Sequence, residues 1–436
     1  MQQVITLVLL LVLIAAQCVH SDDLVAGIDI GKDYEARVRS GIEQNRKSGA
    51  IIDIVSRSGA KVMGANVTVK QTSSDFLFGC AFPLWSEPPK SLGEAGWSDW
   101  NNYFTRVFNY ATTENSFKWG PMEPVEGQVH WESTDFIVKW CRDHNIKLKG
   151  HNLVWATEDG TGTPGWVYKY PPSKVEELFK KRIAEVMGRY KSDIRIWDVV
   201  NEPVHLHNLE KAWRADYVAE SFKLARAADP TATLILNDFS SFVGANQWIV
   251  PLAKNLVKKG VPIDVLAEQA HDPPYWYTPK DILGVLDEMA ETGLRIHLTE
   301  LTYPSDNQKI TGFVQGKWDE QKQGEFYRYF MTLAFSHPSV DAVTVWNLWD
   351  GCTWLKHGGI IREDWTPKPA YAALDDLINN KWKTRFESRT DSNGQVRFHG
   401  FHGDYEVTVT APDGRMTTAK THLSRGSDAH VEITME

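Results

Sequence analysis

Eight short apolar runs recur along the middle of this chain with helical stretches between them, and that alternation constrains the fold more tightly than any other feature. The runs fall at residues 76–82, 106–112, 146–155, 194–200, 233–236, 265–269, 295–299 and 342–346. Helical stretches at 174–190, 217–228, 248–259, 280–292 and 319–336 separate several of them. A short apolar run bounded by turn signals reads as a buried strand. Eight such strands alternating with helices predict an α/β fold, a closed parallel (β/α)8 barrel rather than an open sheet.

Where the runs end matters as much as where they lie. Asn115, His151, Glu202, Asn237, His271, Glu300 and Trp349 all fall at or just beyond strand ends, the position from which a barrel of this kind draws its chemistry. The run 194–200 stops in Asn201-Glu202-Pro203. Proline has no N–H to give a sheet ladder, so the strand ends there and presents an amide and a carboxylate. The run 295–299 closes in the same way on Glu300. Two carboxylates at two strand tips can work as a pair, and the pair that splits glycosidic bonds needs one acid and one base or nucleophile.

The 436 residues suit a barrel with an appendage. A formal net charge of −9 argues against nucleic acid or an anionic membrane as partner. Eighteen tryptophans are many for this length, and indole faces suit flat ligands such as pyranose rings. Residues 4–16 are almost wholly apolar but too short to span a bilayer, and small or neutral residues precede Asp22-Asp23. Residues 1–21 therefore read as a signal peptide, which predicts secretion to the extracellular space. Its removal leaves Cys80, Cys141 and Cys352, so at least one stays unpaired and a disulfide framework is not expected. No Cys/His spacing fits a zinc site; neither a metal nor a cofactor is expected, and the chain is expected to be a monomer.

Residues 22–72 read as a lead-in, with a helical pattern at 34–45 and strands at 51–55 and 65–69, an apron beneath a barrel spanning 73–380. From 381 to 436 the pattern changes to period two, as in 395–398 and 405–410, with hairpin turns at Asn393-Gly394 and Asp413-Gly414. This segment predicts a small C-terminal β-domain.

The strand ends also carry a resemblance. Phe78-Gly79, Thr113-Glu114-Asn115-Ser116-Phe117-Lys118-Trp119, Gly150-His151-Asn152-Leu153-Val154-Trp155 and Trp197-Asp198-Val199-Val200-Asn201-Glu202-Pro203 come first. Leu236-Asn237-Asp238, Glu268-Gln269-Ala270-His271, Thr299-Glu300-Leu301, Trp346 and Pro369-Ala370-Tyr371 follow in order. Over about residues 75–380 the chain resembles glycoside hydrolase family 10, the family of endo-1,4-β-xylanases. The resemblance implies retaining cleavage of internal β-1,4 linkages in xylan or a related plant cell-wall polysaccharide, with Glu202 as acid/base and Glu300 as nucleophile. The acid must hold a proton near neutral pH, a lift expected from the charge of Glu300. It further implies that Glu114, Asn115, Lys118, His151 and Trp155 hold the sugar, and that Asn201 meets the 2-OH. Gln269 and His271 are expected beside Glu300, with His271 hydrogen-bonded to it. Trp346 and Trp354 are expected as platform and roof, with Trp349 a weaker candidate.

Two readings of local features stay open. Glu114 and Lys118 are four apart and could instead form a helix salt bridge; Tyr275-Trp276-Tyr277 could stack a sugar or simply pack. The chain departs from the family at Ala156, where a histidine is usual, and in the loops at 157–166 and 347–354, which puts product size and substrate preference in question. The rival enzyme cleaves β-1,4-glucan or mixed linkages with the same machinery. A rival of another class is a catalytically dead carbohydrate-binding protein, whose mark would be loss of a carboxylate or of Asn201; neither is lost.

Overall fold

A computed structural model describes residue 25 and residues 27–435; the expected signal peptide lies outside the described residues. A helix, Lys32–Arg46, leads into β1 (Lys47–Ser56), and β2 (Asn66–Gln71) follows. In both strands alternate residues are buried, as expected of sheets with one face in a core. The next eight strands are β3 (Leu77–Phe82), β4 (Tyr110–Thr113), β5 (Lys147–Trp155), β6 (Ile194–Asn201), β7 (Thr233–Asp238), β8 (Val265–Glu268), β9 (Arg295–Leu301) and β10 (Val340–Val345). They close into one barrel in the order β9-β10-β3-β4-β5-β6-β7-β8, every pair parallel. Most of their residues are buried on both faces, which is why they read as apolar runs. Gly150 in β5 shows how tightly the wall is packed: a Cβ there would lie 2.1 Å from the Trp197 ring of β6.

The second strand differs from expectation. Residues 106–109 do not belong to it: Arg106 ends the helix Gly93–Val107 and forms a salt bridge with Asp375, and β4 begins only at Tyr110. The apolar residues Phe104, Val107 and Phe108 satisfy a helical stripe that resembles a strand when read alone.

Beyond the barrel come β11 (Arg385–Arg389), β12 (Gln395–Phe401), β13 (Gly403–Thr410), β14 (Met416–Leu423) and β15 (Ala429–Met435). They pair with the lead-in strands to give two sheets, β12-β1-β15 and β11-β2-β13-β14. The strands of the two segments set apart in the sequence reading, β1 and β2 with β11 to β15, thus form one sandwich. Ile52, Ile54, Val67, Val69, Val396, Val407, Val409 and Ile433 share its core. Asp413-Gly414 makes the expected hairpin between β13 and β14, with Gly414 at φ 89°. Asn393-Gly394 does not make a hairpin: it turns a corner between the two sheets, because β11 pairs β2 while β12 pairs β1.

Buried Arg46 fastens the sandwich to the barrel. Its guanidinium donates to the carbonyls of Phe335 (2.5 Å), His337 (2.6 Å) and Val340 (2.8 Å). Val340 is the first residue of β10, so the sandwich lies under the N-terminal ends of the strands, opposite their tips. Cys80, Cys141 and Cys352 are all free thiols.

Candidate active site

The strand tips of β5 to β9 converge on two carboxyl groups. Glu202 follows β6 directly and adopts φ 58°, the left-handed region that a non-glycine residue enters only at a cost. Its N–H donates to the carbonyl of Asn237 at the end of β7 (2.8 Å), which fixes this turn. Three donors orient its side chain: Trp155 Nε1 at 2.8 Å to Oε2, and Gln269 Nε2 at 3.0 Å and Asn201 Nδ2 at 3.1 Å to Oε1. Glu300 lies within β9 and is only 6% exposed. Asn237 links the pair: its Nδ2 donates to Asn201 Oδ1 (2.8 Å) and to Glu300 Oε1 (3.2 Å). Thr299 Oγ1 donates to Asn237 Oδ1 (2.7 Å), which fixes which end of that amide faces Glu300.

Charge is distributed unevenly over this network. Burial pushes Glu300 up to about 7; His151, Lys149 and Lys118 oppose the rise and the Glu202 charge adds to it. The lift falls on Glu300 because it is the carboxyl sunk into the barrel.

Beneath Glu300 lies a group that the sequence reading missed. Asp198 sits inside the barrel with His151 Nδ1 at 2.8 Å and Lys149 Nζ at 2.7 Å, all buried. Burial works to raise the Asp198 carboxyl, but Lys149 and His151 hold it below its usual range. Burial holds His151 low, with Asp198 and Glu300 opposing. Asp198 therefore accepts from Nδ1–H and fixes the tautomer that leaves Nε2 on the other side of the ring.

His271 is not bonded to Glu300: its Nε2 is 3.8 Å from Glu300 Oε2 and 2.6 Å from Gln269 Oε1. It acts on the other carboxyl instead, orienting the Gln269 amide that donates to Glu202. The Gln269–His271 turn is itself held by a second buried acid that the sequence reading did not single out. Glu268 accepts from the N–H groups of Ala270 (3.1 Å) and Ser241 (2.9 Å), and burial pushes it up to about 8, with Asp272 adding.

Glu114, Asn115 and Lys118 lie on a turn after β4, not on a helix, and no ion pair joins Glu114 to Lys118. Lys118 Nζ donates to Asn115 Oδ1 (2.8 Å) and lies 4.8 Å over the Trp155 ring. Burial lowers Lys118 and raises Glu114; Glu300, Glu114 and Glu202 all act on the lysine in the opposite sense. Its ammonium thus faces the whole carboxylate cluster.

The aromatic residues separate into two kinds. Trp346, 4% exposed, stands edge-on to His151 at 5.4 Å, and Trp354, 52% exposed, stands edge-on to His271 at 5.5 Å. Trp349 stacks on Trp365 at 4.5 Å. Trp276 and Tyr277 are fully buried, and Trp276 stacks on Trp318, so these two pack; Tyr275 alone of the run is half-buried. Ala156 is buried, and its carbonyl accepts from Asn208 Nδ2 (3.0 Å). The loop beyond it is tied to itself through Thr163 Oγ1 to Trp155 O (2.7 Å) and Gly162 N to Thr157 Oγ1 (2.8 Å).

Comparisons with known proteins place the barrel in one family. Over 388 residues the chain is 28% identical to Anti-sigma-I factor RsgI6 of Acetivibrio thermocellus, covering 88% of this chain and 48% of that protein. Over 407 residues it is 26% identical to Endo-1,4-beta-xylanase 2 of Arabidopsis thaliana, covering 91% of this chain and 36% of that one. The chain thus spans about half or less of the length of these two relatives. A GH10 endoxylanase retrieved from a sugarcane soil metagenome is similar at a TM-score of 0.60 and 29% identity, covering 70% of this chain and 97% of that one. Residues 72–377, which include every strand tip described above, match Glycosyl hydrolase family 10, and the chain belongs to that family.

Proposed function

We propose that this protein is a secreted, retaining endo-1,4-β-xylanase. The observation that carries the reading is the pair Glu202 and Glu300, joined through the Asn201 and Asn237 amides at the barrel mouth. In the first step Glu300 attacks the anomeric carbon, the glycosidic C–O bond breaks, and Glu202 gives its proton to the departing oxygen. In the second step Glu202 takes a proton from water, whose oxygen attacks the same carbon and releases Glu300. Trp155, Asn201 and Gln269 keep the Glu202 carboxyl in one orientation through both steps, so little reorganisation is needed when its charge changes. Secretion is supported by the apolar segment at residues 4–16.

The preference for xylan over glucan is supported by Trp354, half exposed and edge-on to His271, whose ring would crowd a hydroxymethyl group on a sugar bound beside it. One such group is worth about 1–3 kcal/mol, or roughly 10–200-fold in rate. The test is kcat/KM on matched xylo- and cello-oligosaccharides, with proton NMR of the first product formed. A xylose bias and initial β-anomer are expected. Equal values would overturn the xylan preference, and an initial α-anomer would overturn the double displacement.

A further inference from the structure

A groove of about 740 Å³ runs down the flank of the barrel between the helices Tyr217–Ala228 and Asn246–Lys258. Val218 and Leu252 form apolar walls, and Trp248, His205, Asn255 and Lys259 also line it. Trp248 is 56% exposed in the first turn of its helix. Lys259 lies eleven residues further on, so the groove is about 16 Å long at the rise of a helix. A groove of this size, with an apolar floor, an open indole face and a few amide, ammonium and imidazole groups, suits a ligand with flat C–H faces and hydroxyl edges. Its charges are mixed, with Lys259 set against Glu210 and Asp216. That favours a neutral ligand over an anionic one.

The groove begins next to the active site along the chain. Pro203 and Val204, the residues after Glu202, line it. Val204 N–H and His205 Nδ1 are held by the two oxygens of Asp238, at 2.9 Å and 2.6 Å. A series of ring contacts joins the two places: Trp354 to His271 at 5.5 Å, His271 to Phe239 at 6.0 Å, and Phe239 stacked on His205 at 3.7 Å.

We infer that this groove is a second, non-catalytic seat for the polysaccharide, in which a neutral β-1,4-linked sugar chain stacks on Trp248 and bonds its hydroxyls to Asn255 and Lys259. The inference rests on the hydrolase reading above. A polymer held there stays beside the acid after one cut, whereas a short substrate never reaches it.

Trp248→Ala tests this, since removing an exposed ring leaves the core untouched. Three measurements suffice: KM on soluble xylan, kcat/KM on an aryl β-xylobioside, and retardation of the protein in a native gel containing xylan. The gel is run in a Glu300→Gln background to prevent hydrolysis. A rise in KM of roughly 3–10-fold on the polymer, with lost retardation and an unchanged aryl xylobioside rate, is expected from the loss of one stacking face. Unchanged KM and retardation in an enzyme that still cleaves xylan would overturn the groove as a binding seat and leave the hydrolase reading intact. A wild-type protein inert on the aryl xylobioside fails at the earlier step and removes both.

Discussion

At Glu300, burial and chemistry pull in opposite directions. In the proposed reaction the carboxyl must be ionised to attack, yet burial pushes it up to about 7 from an ordinary 4.5. In the unfolded chain it ionises near 4.5, so the fold loses stability as pH rises from there to about 7 and bears the full cost above. Glu300→Gln should therefore stabilise the protein at pH 8, by ~1–3 kcal/mol, and do nothing at pH 4. Thermal unfolding at the two pH values checks this; equal shifts would show that the carboxyl is not strained by burial. Activity should move the other way: Glu300→Ala and Glu202→Ala should each lose at least about 10²–10⁴-fold in kcat on xylan with the fold intact. Azide should partly restore Glu300→Ala with inverted product. Near-wild-type rates in either variant would refute the assignment. Both carboxylates were legible because each closes a run of apolar residues. Lys149 and Asp198 were not, because a charge inside a strand gives no sign of its partner until the barrel brings two strands together. The bond of His271 to Gln269 rather than Glu300 rests on a difference of about an ångström, which no spacing in a sequence encodes.

At the scale of the element, the barrel strands were readable where their burial is two-sided and misread where a helix ends in the same residue types, as at Arg106–Asn109. The loops after β5 and β10 were flagged as departures, but their internal ties could not be read, since hydroxyl-to-carbonyl bonds such as Thr163 to Trp155 depend on the path of the loop. A sharper test of strand packing lies at Gly150. Gly150→Ala must push the Trp197 ring aside, which should cost about 1–3 kcal/mol as overpacking. It should also lower kcat by displacing the neighbouring His151 from Asp198. A variant of unchanged stability would mean that the β5–β6 wall has slack that the 2.1 Å approach denies.

For the whole molecule, the domain picture changes what truncation does. A chain stopped near Asn380 has all of the proposed catalytic residues, and the sequence alone suggests that the tail is dispensable for the chemical step. The sandwich argues that such a chain would leave β1 and β2 with Ile52, Ile54, Val67 and Val69 uncovered, an exposed apolar sheet of the kind that aggregates. We expect the truncated protein to lose solubility while any folded fraction keeps its rate on a short xylo-oligosaccharide. Sedimentation and active-site titration separate the two effects. A soluble, stable truncation would show that the sandwich core contributes little.

The same sandwich also imposes an order in time. β1 pairs in parallel with β15, Ala50 lying opposite Ala429. During synthesis the first strand therefore emerges about 380 residues before its neighbour exists, a wait of roughly 20–80 s at ordinary translation speeds. The last barrel strand, Val340–Val345, is made late in that interval but still before β15, so the barrel can close first and the sandwich only afterwards. A newborn chain thus carries β1 with both edges unpaired for most of its time on the ribosome, which makes those edges the natural point of contact for whatever escorts it.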